Sequence, residues 1–114
     1  MSKRNAELYI QDILDAITDI EDFTRGMANN QFVVDKKTVN AVIKSLEIIG
    51  EAVNCLPGEL LRAYPEVSWK EHIGMRNKIT HAYFGVSLQI VWDTIKEDLP
   101  VLKQAVEKIK SELV

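Results

Sequence analysis

The feature that most limits the folds open to this chain is the spacing of apolar residues in its last third. Leu88, Trp92, Ile95, Leu99, Leu102, Val106, Ile109 and Leu113 follow one another at alternating steps of four and three. That alternation tracks the 3.6-residue turn of an α-helix and sets every one of these side chains on a single stripe. A strand, whose faces alternate residue by residue, cannot gather them on one side. Pro100 lies inside the run, where it removes a backbone hydrogen bond and should kink the helix. Because the apolar phase is kept across the proline, one kinked helix is expected rather than two independent ones.

The same period appears earlier. Ile10, Ile13, Leu14, Ile17, Ile20 and Thr24 define one helical face, with Leu8 and Phe23 flanking it. Asp12, Asp15, Asp19 and Asp22 share a different face, as a solvated surface or as a docking face for a basic partner. Residues 25–30 are turn formers. A second helix is expected over 35–54, opened by Asp35 as N-cap, with Val39, Val42, Ile43, Leu46, Ile49 and Val53 inward. Gly50 falls on that inward face. Glycine costs about 1 kcal/mol against alanine inside a helix, so close approach of another helix is the expected compensation. Leu56-Pro57-Gly58 ends this helix, and residues 59–63 suit one short turn. Ser68-Trp69-Lys70-Glu71 has the capping-box pattern and places a third helix over 69–82, ending near Gly85 and containing Gly74. Four amphipathic helices without a strand pattern predict an all-α, four- to five-helix up-and-down bundle with a kinked last helix.

A chain of 114 residues suits a single domain spanning 1–114. No apolar run approaches the roughly 20 residues of a membrane span, and the first residues lack the apolar stretch of a secretory signal. Cys55 is the sole cysteine, which excludes an internal disulfide and a cysteine metal cluster. These features agree with a cytoplasmic protein that does not contact a membrane. The net charge of −3 argues against non-specific nucleic-acid binding. Charge is uneven, however. Residues 7–22 hold acidic side chains and no basic ones, whereas residues 69–81 carry Lys70, Arg76 and Lys78 against Glu71 alone. A polyanion could be received at one place and repelled at another.

Arg76 and His81 are the candidates to carry chemistry. Cleaving RNA without a metal requires the ribose 2′-hydroxyl to lose a proton, the leaving oxygen to gain one, and charge on phosphorus to be neutralised. Histidine exchanges protons near neutrality, and arginine presents a planar fork of donors to phosphate oxygens. On a regular helix, positions 76 and 81 point about 140° apart. Asn77 and His81 share a face, and Arg76 and Tyr83 nearly do. A symmetric dimer would make a fuller site. Plainer roles are open too: His81 at a helix C-terminus, Arg76 paired with Glu51, Tyr83 as packing. His72 and His81 have no companions at metal-ligand spacing, so neither a metal nor another cofactor is expected.

The run Gly74-Met75-Arg76-Asn77-Lys78-Ile79-Thr80-His81-Ala82-Tyr83-Phe84-Gly85-Val86 resembles the signature of HEPN-domain proteins of the HepT-like family. Ile48-Ile49-Gly50-Glu51-Ala52, Pro65-Glu66-Val67-Ser68-Trp69, and Ile90-Val91-Trp92 running on to Asp98-Leu99-Pro100 agree in order and spacing. The resemblance implies a HEPN-type bundle, a homodimer, and a metal-independent endoribonuclease toxin with RNA as substrate. It implies that Arg76 binds the scissile phosphate, His81 is the general acid–base, Asn77 orients the pair and Glu51 supports it. It further implies a companion nucleotidyltransferase antitoxin of the MNT type that adds AMP to Tyr83, within a dimer or a larger toxin–antitoxin assembly. The alternative is a non-catalytic HEPN module binding nucleotide or the transferase, and a purely structural helical dimer would leave the Arg–Asn–His–Tyr grouping unexplained.

Overall fold

Each apolar stripe becomes the inward face of a helix. The computed structural model describes residues 3–113, apart from the side chains of residues 3, 4 and 84. In order along the chain, the α-helices are α1 (Lys3–Thr24), α2 (Asn29–Phe32), α3 (Lys36–Asn54), α4 (Gly58–Arg62), α5 (Trp69–His81), α6 (Leu88–Asp93) and α7 (Leu99–Leu113). Among the described residues there is no strand, as expected of an all-α bundle. Nor is any of these helices long and apolar enough to cross a membrane.

Helix α3 is the centre of the arrangement: α1 packs along one side of it and α5 along another, while α7 packs on α1. Ile10, Ile13, Ile17 and Ile20 of α1 meet Val42, Ile49 and Val53 of α3 and Leu102, Val106 and Ile109 of α7 in one fully buried core. Each such side chain contributes about 1.5–3 kcal/mol of apolar burial. Leu8 and Phe23, at the margins of the first stripe, stay exposed. The acidic residues Asp12, Asp15, Asp19 and Asp22 are all exposed.

Helix ends follow local chemistry. The Asp35 carboxylate accepts the Thr38 N–H at 3.1 Å, capping α3 as expected. After α1 the chain turns at Gly26, whose φ of +76° lies in the left-handed region that glycine occupies freely. The expected capping box at Ser68 is not formed. Ser68 is the N-cap of α5, but its backbone (φ −83°, ψ 66°) is not the extended form usual at this position, and its side chain accepts no cap bond. The Glu71 and His72 N–H groups go instead to the Ser68 carbonyl, at 3.0 and 3.3 Å.

The helical run after residue 88 is continuous but not uniform. Between α6 and α7 lies one wide π turn, Thr94–Asp98, directly ahead of Pro100. Pro100 has no N–H to offer the carbonyl four residues back. The Leu99 N–H reaches back five residues to Thr94 O instead. Trp92, Ile95, Leu99 and Leu102 remain buried on both sides, so the apolar phase does survive the irregularity.

Gly50 meets the expectation set by its position. A Cβ built there would collide with Arg76 Cβ and lie 2.6 Å from the His72 carbonyl oxygen, so α5 rests against α3 backbone to side chain with no room between them. Gly74, also in α5, faces open space. The two glycines should therefore respond oppositely. Gly50→Ala should lower the urea unfolding free energy by about 1–3 kcal/mol through overpacking. Gly74→Ala should raise it by about 1 kcal/mol through helix propensity. Equal effects in chemical denaturation would show that the α3–α5 contact is not as tight as described.

Candidate functional site

The close contact at Gly50 starts a line of polar contacts running between α3 and the end of α5. Arg76 Nη2 lies 2.7 Å from Glu51 Oε2. One turn on, the Thr80 hydroxyl donates to Glu47 Oε2 at 3.2 Å. Beyond the helix, the Tyr83 hydroxyl donates to Asn40 Oδ1 at 2.5 Å. Position numbers rise along one partner as they fall along the other, so α3 and α5 run antiparallel. The α3 residues in this line, together with Lys44, are spaced as one helical stripe.

Arg76 is the most enclosed of the candidate residues. Its side chain is 29% exposed and its guanidinium is held twice, by Glu51 and by Asn77 Oδ1 at 2.9 Å. The Glu51 side chain is 52% exposed. Solvent screens such a pair, and it contributes at most about 1 kcal/mol. Its effect is to fix where the guanidinium points.

His81 is the last residue of α5 and is exposed. No hydrogen bond or ion pair joins it to Arg76 among the described residues, as their separation around the helix implies. The helix stops there because Ala82 leaves helical geometry (φ −150°, ψ 56°). Tyr83 consequently belongs to a 3₁₀ turn, Tyr83–Gly85, rather than to the helix expected to reach residue 82 and end near Gly85. This corrects the expected closeness of Tyr83 and Arg76. Both turn toward α3, but their partners Asn40 and Glu51 are eleven residues apart, roughly 16 Å along the helix.

Beside Arg76 opens a cleft of about 260 Å³ between α1 and α3, bordered by Tyr9, Asp12, Lys44, Glu47, Ile48 and Glu51. The neighbouring Cys55 thiol, with a smaller effect of burial, pushes the Tyr9 phenol above its ordinary value. A second cavity, about 360 Å³, lies across α5 against the π turn, with His72, Met75, Ile90 and Asp98 in its wall. Burial raises the Asp98 carboxyl, and the charges of Glu71, Glu97 and Asp93 add to this. Among the described residues, no three His, Cys, Asp or Glu side chains gather so as to hold a metal ion.

A family description, ribonuclease HepT-like, matches residues 13–109. The chain belongs to this family. It is 48% identical to the "Probable ribonuclease HepT" of Thermococcus cleftensis over 108 residues, covering 95% of this chain and 98% of that protein. A Methanocaldococcus jannaschii protein provisionally named an RNase is 42% identical over 109 residues, with 96% and 90% of the two chains covered. A similarly named protein of Caldanaerobacter subterraneus is 41% identical over 101 residues, covering 89% and 90%. No solved structure matches the chain.

In this HepT-like chain the motif residues are gathered in part. Arg76, Asn77 and Glu51 form one connected group, Tyr83 reaches α3 further along, and His81 is exposed at the end of α5, away from that contact. Sequence reasoning missed Asn40, Glu47 and Thr80, as well as Tyr9 at the cleft. The only available signal was the polar stripe Asn40, Lys44, Glu47, Glu51 on a helix whose other face is apolar.

His72 is the buried histidine of the motif helix, 3% exposed, with Nε2 unpartnered among the described residues. Burial pulls its imidazole down from 6.5 to about 4, against a smaller opposing effect of Glu71. The folded protein thus keeps His72 neutral where the unfolded chain would already protonate it. Its contribution to stability is full above pH 6.5 and is lost as pH falls from 6.5 to about 4, in all about 3 kcal/mol. Urea midpoints measured across that window should fall more for wild type than for His72→Gln. Parallel curves would show that His72 is not the group responsible.

Proposed function

We propose that this chain is an endoribonuclease toxin that cuts RNA without a metal ion. It acts as a single HEPN domain in a cytoplasmic homodimer and is paired with a nucleotidyltransferase antitoxin of the MNT type. The observation that carries this reading is the doubly held guanidinium of Arg76, on the same helix as the exposed His81, in a chain related to named ribonucleases. Fixed donors aimed at the place where charge develops are what phosphoryl transfer requires of a protein.

In this reading the ribose 2′-oxygen attacks phosphorus and forms the new P–O bond as the bond to the 5′-oxygen breaks. The products are a 2′,3′-cyclic phosphate and a 5′-hydroxyl. One proton must leave the 2′-hydroxyl and one must reach the departing 5′-oxygen. Two His81 side chains, one from each copy, supply a base and an acid. Arg76 neutralises the phosphorane, Asn77 keeps the guanidinium oriented, and Glu51 holds it until the phosphate displaces the carboxylate.

Tyr83 is the proposed acceptor of AMP. Its oxygen would bond to the α-phosphorus of ATP, with release of pyrophosphate and of the phenolic proton. The added phosphate would emerge near Asn40 and first meet Lys44, one turn along α3. Successive AMP units would extend the negative charge toward Arg76 and oppose RNA by repulsion and bulk.

The occupied state of Arg76 favours a second reading, a silent HEPN module that binds nucleotide or the transferase. The deciding test is cleavage of total cellular RNA in EDTA by unmodified protein, with folding and dimerisation verified. Wild type should cut, while Arg76→Ala and His81→Ala should each lose about a hundredfold or more. Intact RNA with dimeric wild type would transfer the case to the silent module. Mass spectrometry after coexpression with the transferase should find AMP on the Tyr83 peptide of wild type and none in Tyr83→Phe, and an adduct mapped to another residue, or no adduct at all, would refute the assignment of Tyr83.

A further inference from the structure

We propose that the cleft beside Arg76 is a nucleobase pocket that seats one unpaired base of the RNA next to the scissile phosphate, with guanine preferred. This rests on the ribonuclease reading and adds to it where the substrate lies. The cleft, about 260 Å³, is smaller than the range for drug-sized ligands, and one planar ring system suits it. Tyr9 from α1 and Ile48 from α3 supply its apolar sides, and Ile48 is 39% exposed despite its size. Single-stranded RNA is recognised by stacking its bases on aromatic side chains and bonding their edges.

The edge chemistry follows from which carboxylates are already engaged. Glu51 holds Arg76, and Glu47 holds Thr80 and Lys44. Asp12 also borders the cleft and makes no hydrogen bond or ion pair among the described residues. A carboxylate only accepts hydrogen bonds. Guanine offers it two parallel donors, N1–H and the 2-amino group. Uracil turns two carbonyl oxygens and a single N–H toward the same place. Arg76 at the rim ties the pocket to the phosphate that it would bind.

Two measurements test this, and they fail separately. The first is NMR titration of unmodified protein with GMP and with UMP. GMP should shift the amides of Tyr9, Asp12 and Ile48 at about tenfold lower concentration than UMP. Tyr9→Phe should retain this, Tyr9→Ala should weaken it about tenfold, and Asp12→Asn should erase the discrimination. The second is end sequencing of cleavage products, in which guanine should be enriched beside the cut for wild type and not for Asp12→Asn. GMP shifts confined to another surface, or a base bias that Asp12→Asn leaves unchanged, would overturn the pocket while leaving a cutting enzyme in place. GMP seated in the cleft of a protein that cuts nothing would support the pocket and defeat the ribonuclease reading instead.

Discussion

The placement of Arg76, on which the proposed chemistry depends, is set by how closely α5 can approach α3, and one missing side chain sets that distance. At Gly50 the α5 backbone and the first carbon of the Arg76 side chain occupy the space that any Cβ would need. A helix-interior glycine is a local cost, and the compensation is an arginine whose stem is fixed before its guanidinium makes any bond. The Glu51 ion pair alone could not do this, since a half-exposed carboxylate holds a flexible side chain only weakly. Packing fixes the root of Arg76, and electrostatics fixes its tip.

That division of labour bears on how an acidic chain could meet RNA at all. With a net charge of −3 it has little long-range attraction for phosphate. The acidic side chains of α1 stay exposed, and the cleft itself borders on three carboxylates. A polyanion would gain only where a guanidinium is already oriented and its present carboxylate partner can be exchanged for a phosphate. Recognition of this kind favours an unpaired segment that can bring a base and its phosphate together over a duplex bound through many phosphates.

How much of this could be read from the sequence depended on the range of the interactions. The long helices were legible because each carries its own record of burial, a step of three or four repeated over several turns. Gly50 was legible because a glycine on an apolar helix face needs a reason. The π turn was legible only as trouble at Pro100, since periodicity cannot say which wider turn absorbs the lost hydrogen bond. Helix α2 escaped because four residues hold no period, although its Phe32 is fully buried against Trp92. The capping box at Ser68 failed because the pattern names the right residues without fixing the backbone angles at the cap. The contacts Thr80–Glu47 and Tyr83–Asn40 join residues 33 and 43 positions apart, and no local pattern encodes such pairings.

The geometry of α5 also bears on the assembly. Residues 69–81 form unbroken α-helix, so the five-residue step from Arg76 to His81 leaves them about 140° apart around its axis. Arg76 and Thr80 are both committed to α3, and His81, one position further, turns away from that contact into solvent. Both groups ride on the same unbroken helix, so no rotation of α5 alters their separation around its axis, and the guanidinium that would have to reach round to His81 is held instead by Glu51 of α3 and by Asn77. A second copy related by a twofold axis avoids the conflict, because the histidine of one chain can approach the arginine of the other while both helices stay seated. On this reasoning the proposed dimer would complete a site that one chain, with its arginine held against α3, leaves open.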